Sequence, residues 1–321
     1  MSRDSLPGLK DIVEAARRIE GVAVRTPLVE SPALSRILGP KIYLKLECFQ
    51  PIRVFKIRGA YNKISRIKSK KVIAASSGNH GIAVSYCSRL LGKGCTIVVP
   101  ESVVQEKLSA IQEFGAEVVK FGRSSVEREM KAREMARKED ASFVHPFEDP
   151  EVIAGQGTCG LEILEQLKEF DSVIVPVGGG GLISGVAIAV KAEKPSAKVF
   201  GVEPSGAAKL HAALEARRIV TVEDPKSIAD GLIPSSLGQL TFEACSRYVE
   251  GSFVVSEEQL ITSVGLMLRE AHVLSEPSGA APVAALVAKK EIGRLGECVV
   301  LVVSGGNVSL KLLNRILSSD R

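Results

Sequence analysis

Short apolar runs alternating with amphipathic stretches most constrain what this chain can fold into. Strand-like runs at residues 72–76, 95–99, 117–121 and 141–144 are separated by helical patterns at 81–91, 105–114 and 126–137. After a helix near 153–167 the alternation resumes, with strands at 172–177 and 198–202 and helices at 182–192 and 209–216. Residues 221–236 are rich in Asp, Pro and Ser and read as loop; helices at 257–273 and 279–289, a strand at 298–303 and a closing helix follow. Alternation of this kind is the signature of parallel sheet with right-handed crossovers. The expected fold is α/β: two open, mainly parallel twisted sheets flanked by helices, the smaller inserted in the larger. Upstream, residues 9–19 have the spacing of an amphipathic helix, 41–47 read as a strand and 58–67 as a helix.

In open parallel sheets ligands sit beyond the carboxyl ends of the strands, so the strand-to-helix junctions are where chemistry is expected. Lys56 stands between apolar neighbours at the start of the 58–67 helix, where burial would lower its pKa and make it a nucleophile or base. A lysine beside apolar residues more often reaches for water, so its neighbours must decide. Ser76-Ser77-Gly78-Asn79-His80-Gly81 follows a strand and opens a helix, offering N–H groups to an anion or merely forming a capped turn. Gly178, Gly179, Gly180 and Gly181 follow another strand; with no side chains to block them, their N–H groups suit a phosphate. The run lacks the Gly-Lys-Ser/Thr of a Walker loop and the G-x-G-x-x-G dinucleotide spacing. Ser304, beyond the last strand, is either a helix cap or a donor to a heteroaromatic nitrogen.

Composition narrows the partners. The net charge of +5 is spread along the chain, which fits an anionic small ligand and argues against nucleic acid. No run of 18 apolar residues is present to span a membrane, and the polar N-terminus shows no signal peptide. Six scattered cysteines without C-x-x-C or metal spacing point to a reducing, cytoplasmic setting.

Taken in order, the lysine before Arg-Gly-Ala, Ser-Ser-Gly-Asn-His-Gly, the four glycines with Leu182, and Ser-Gly-Gly-Asn resemble the pyridoxal-phosphate enzymes of the second fold type (tryptophan synthase β-like). Within that type the likeness is to the serine/threonine dehydratase and serine racemase group. His145-Pro146-Phe147, residues 154–158, Gly201-Val202-Glu203-Pro204 and Glu276-Pro277-Ser278-Gly279-Ala280 belong to the same likeness. The resemblance implies a large cofactor-binding domain of residues 1–69 and 147–321, a small inserted domain of 70–146, and pyridoxal 5'-phosphate in the cleft between them. It implies that Lys56 carries the cofactor as a Schiff base beside Phe55. Asn79 would bond the ring hydroxyl, and Ser76, Asn79 and His80 would meet the substrate carboxylate. Gly178 to Gly181 with Leu182 would hold the phosphate, and Ser304 would meet the ring nitrogen. Ser77 lies where racemases place a second acid/base. The implied reaction is elimination of water and ammonia from L-threonine or L-serine, in a homodimer or larger homo-oligomer. Racemisation is the alternative, with threonine synthase and a non-catalytic amino-acid-binding relative behind it.

Two features depart from the group's pattern. Ile52-Arg53-Val54 stands where Thr-Gly-Ser is usual. In the metal-activated racemases a magnesium or calcium ion is held by a glutamate, a backbone carbonyl and an acidic side chain. Glu203 and Ala207 match the first two, but Lys209 stands at the third, so no metal is expected and Lys209 is expected to pair with Glu203 or face solvent.

Overall fold

The computed structural model describes residues 5–76, 78–103, 105–288 and 292–319. Ten strands lie among them: β1 (Leu28–Glu30), β2 (Lys41–Leu46), β3 (Lys71–Ala75), β4 (Gly94–Val99), β5 (Glu117–Lys120), β6 (Ser142–Phe143), β7 (Ser172–Pro176), β8 (Lys198–Pro204), β9 (Gly251–Val255) and β10 (Cys298–Val303). They form a six-stranded sheet in the order β1-β2-β10-β7-β8-β9 and a four-stranded sheet in the order β5-β4-β3-β6. Every pairing is parallel except β1 with β2. The mainly parallel α/β reading therefore holds.

The apolar strands are apolar because both faces are covered. In β10, Val299, Leu301 and Val303 face a core that includes Leu260, Val264, Ala281 and Ala284. Val300 and Val302 face the opposite core, with Cys159, Ile183 and Val186. That is the two-residue alternation of a strand packed by helices on both sides. Likewise in β3, Val72 and Ala74 face one core and Ile73 the other.

The strand order positions the site. β10, last in sequence, lies between β2 and β7, so the segments leaving three adjacent strands converge at one sheet edge. The segment after β2 carries Lys56, that after β10 carries Ser304, and that after β7 carries Gly178 to Gly181. In the smaller sheet, the ends of β3 and β6 lead to 76–81 and 144–147 respectively. The observed helix runs Lys56–Ile64, so Lys56 is its first residue. Gly155 of the Pro150–Gln166 helix lies against Gly59; a Cβ on Gly155 would come within 2.6 Å of the Gly59 Cα. The Ala154-Gly155-Gln156-Gly157-Thr158 run thus lets the lysine's helix seat closely on its neighbour.

Strand β9 and the Gln239–Tyr248 helix did not stand out in the hydrophobic pattern. β9 is Gly-Ser-Phe-Val-Val, short and half-buried at a sheet edge, so it lacks the apolar run of the inner strands.

Candidate active site

Lys56 opens its helix with no capping side chain, and its Nζ donates to the carbonyl of Pro146 at 2.8 Å. The ammonium lies 5.1 Å from the centroid of the Phe55 ring. Burial with no carboxylate partner lowers its pKa to about 8, so a neutral amine is accessible near physiological pH. The preceding turn is tied to the end of β10. Phe55 N donates to Ser304 O at 3.1 Å, Val54 bridges Gly305, and Gly306 N donates to Arg53 O at 2.8 Å. Lys56 and Ser304 are thereby brought together. Ser304 is buried, and its hydroxyl bonds no described residue.

Arg53 accounts for one departure noted above. Its φ is +59°, the left-handed region that glycine occupies without strain. The turn holds an arginine in a backbone shape that suits glycine.

The glycine run forms a bed of donors. Gly179, Gly180 and Gly181 are buried, Gly178 is half-buried, and no described residue accepts a hydrogen bond from any of their four N–H groups. Buried N–H groups are almost always paired, so a run of donors left open in this way is suited to an anion. Gly181 also begins the Gly181–Glu193 helix, whose N-terminus favours negative charge. The loop is held from beneath: a Cβ on Gly179 would lie 2.1 Å from the Phe147 ring, and Thr241 Oγ1 donates to Gly179 O at 2.9 Å. The Leu182 side chain belongs to the core.

A second set of N–H groups, those of Asn79, His80 and Gly81, opens the Asn79–Leu90 helix and likewise meets no described acceptor. Ser76 Oγ accepts from Gly78 N at 3.2 Å, closing the turn. The His80 ring is used internally: Nε2 donates to Val144 O at 3.0 Å, and burial keeps the ring neutral, its pKa lowered to about 3. What His80 offers outward is its backbone N–H. Asn79 donates from Nδ2 to Glu276 Oε1 at 2.7 Å and accepts from Asn307 Nδ2 at 2.9 Å. Ser77 lies outside the described residues.

Two participants were not singled out for a role from sequence. The segment 144–147 joins all three sets: Val144 O receives His80, Pro146 O receives Lys56, and Phe147 underlies the glycines. Its partners are carbonyls and an aromatic edge, which leave no motif beyond the His-Pro-Phe run itself. Glu276 is buried beside Asn79; burial first, then the charge of Asp230, pushes its pKa up to about 8.

The orphaned donors, the low-pKa amine and the unpaired serine hydroxyl fit pyridoxal phosphate. A divalent ion, where the resemblance would place it, finds its donors already engaged. Glu203 Oε1 and Ala207 O, two of its donors, lie 3.1 Å and 2.9 Å from Lys209 Nζ, so these residues do not fit a divalent ion.

Comparison with known proteins points to the same cofactor. The chain is 41% identical over 314 residues to L-threonine ammonia-lyase of Thermotoga maritima, covering 97% of this chain and 78% of that one. It is 38% identical over 321 residues to serine racemase of Dictyostelium discoideum, covering 97% and 98%. The crystal structure of a threonine deaminase from T.th. superposes with a TM-score of 0.91 at 41% identity, covering 95% of this chain and 99% of that one. The family model described as pyridoxal-phosphate dependent enzyme matches residues 19–305, and the chain belongs to that family.

Proposed function

We propose that the protein deaminates L-threonine or L-serine, eliminating water that is added back as ammonia is released, to leave the corresponding 2-oxo acid. The observation that carries this reading is the placement of Lys56. Its amine is linked through the 144–147 segment to a phosphate-type donor bed on one side and a carboxylate-type donor set on the other.

Each group then has work to do. The cofactor supplies an electron sink for charge developing at the substrate α-carbon. The N–H groups of Gly178 to Gly181 would hold its phosphate, and those of Asn79, His80 and Gly81 would receive the substrate carboxylate at a helix N-terminus. Lys56 would carry the cofactor, and its neutral amine would take the α-proton; its bond to Pro146 O orients it. Ser304 would offer the cofactor's ring nitrogen a neutral donor, its hydroxyl carrying no charge. Atoms balance: loss of water from the substrate, then addition of water with release of ammonia, gives the 2-oxo acid.

The racemase reading rests on Ser77, a hydroxyl in the sequence position of a second acid/base. An inserted unit of residues 70–146, a cytoplasmic location and a homo-oligomeric state belong to the same proposal. All six cysteines are free, which supports a reducing compartment. Incubation with L-threonine and with L-serine, followed by 2-oxo acid and chiral amino-acid analysis, tests both readings. Formation of 2-oxo acid is expected; its absence with both substrates would overturn the proposal.

A further inference from the structure

Beneath the glycine loop lies a fully buried ion pair with an unusual coordination. Lys209 Nζ is 2.9 Å from each of three carbonyl oxygens, those of Val177, Ala207 and Leu232, and 3.1 Å from Glu203 Oε1. Lys209 and Glu203 are each 0% exposed. Three acceptor carbonyls require three N–H protons, so the group is an ammonium, and the carboxylate balances its charge. The remaining capacity of Glu203 is spent on Leu210 N at 2.8 Å, His211 N at 2.9 Å and Ser252 Oγ at 3.1 Å.

Four oxygens converging on one positive centre at this distance describe a monovalent-cation site whose cation is covalently attached. Divalent calcium and magnesium bind oxygen at about 2.0–2.6 Å, so this nest is too wide for them without collapse. We propose that Lys209 serves as a built-in monovalent cation that aims the glycine loop. We further infer that removing its side chain leaves a nest that takes a potassium- or ammonium-sized ion from solution.

The link to the loop is through one peptide. Val177 O is pinned on the ammonium; the peptide is planar and trans, so the Gly178 N–H points the opposite way, as the first donor of the bed. The Leu232 carbonyl fixes the Asp230–Leu232 turn against the same loop. A Cβ on Gly178 would stand 2.6 Å from Gly231 O. Lys209 is thus a positioning residue. Its effect on cofactor affinity rests on the reading of the loop as a phosphate cradle; the cation nest does not.

The test uses the holoenzyme of Lys209→Ala in potassium, ammonium or tetramethylammonium chloride at constant ionic strength. Thermal midpoint and cofactor Kd are the readouts. In tetramethylammonium the midpoint is expected to fall and cofactor affinity to weaken at least tenfold. Potassium and ammonium should restore most of both, saturably, while the wild type responds to none of the three salts, nor to EDTA or magnesium. Lys209→Met, which fills the space without charge, should be impaired and not rescued. A variant that folds only in potassium or ammonium supports the nest as well. Full stability and affinity in Lys209→Met, or losses in Lys209→Ala that no small monovalent cation recovers, would overturn the nest. Rescue of the midpoint with cofactor affinity unchanged throughout would keep the nest and overturn the phosphate role of the loop.

Discussion

Lys56 Nζ donates to the carbonyl oxygen of Pro146, 90 residues further along the chain, at 2.8 Å. That bond ties the buried amine at one sheet's edge to the segment leaving the other sheet. It offers the amine an acceptor but no counter-charge, which is why burial can depress the lysine's pKa.

Lys56→Ala should lose the visible absorption of the bound cofactor and essentially all turnover, because it removes both attachment point and base. Turnover above a few per cent of wild type would contradict the assignment.

The depressed lysine pKa also has a stability consequence in the cofactor-free protein. Between pH about 8 and the unfolded value near 10.5 the unfolded chain binds a proton that the folded chain does not. Stability relative to Lys56→Met should therefore rise with pH across that window and be flat below it. Thermal melts of both cofactor-free proteins from pH 7 to about 10.5 measure the difference; a flat difference would show that Lys56 is not desolvated.

Glu276 behaves in the opposite sense. Its pKa is raised from 4.5 to about 8, so the stability it contributes is full below pH 4.5 and is lost as pH rises through about 8. Glu276→Gln keeps an acceptor for Asn79 and cannot ionise. The variant should gain on the wild type steadily between pH 5 and about 8.5 in paired melts. An unchanging gap would mean that water reaches the carboxylate.

Arg53→Gly should stabilise the protein by about 1 kcal/mol, because the left-handed backbone costs arginine more than the added unfolded-state freedom costs glycine. Urea unfolding reads the shift. A loss of stability would show that the arginine side chain contributes more than its backbone costs.

Arg58 sits two residues after Lys56, fully buried, with a forked contact to Glu47 at 2.7 and 2.8 Å and another to Glu162 at 2.7 and 2.9 Å. Arg58→Met strands the buried Glu47 carboxylate and should cost about 3–5 kcal/mol. Adding Glu47→Gln should return part of that loss, which a double-mutant cycle in urea would reveal. Strict additivity would rule out direct coupling.

Much of this was legible in the residues. The order of strands and helices followed from period and apolarity, because buried parallel strands leave so little latitude in composition. Gly178 to Gly181 read as an anion bed because four adjacent glycines leave their N–H groups unobstructed. Lys209 read as either a partner of Glu203 or a solvent-facing side chain; the structure places it wholly inside, against Glu203.

What the chain determined by itself was local: which segments pair or coil, and which backbone positions forgo side chains to leave donors open. Tertiary structure decided what those segments meet. Insertion of β10 between β2 and β7 brought Lys56, Ser304 and the glycines to one edge. Folding of the 144–147 segment across them gave Lys56 its carbonyl and His80 its own. Burial, a property of the assembled fold alone, then set the protonation of Lys56 and Glu276. Periodicity reports which face of an element is apolar; desolvation and charge pairing depend on atoms that only the packed chain brings within a few ångströms.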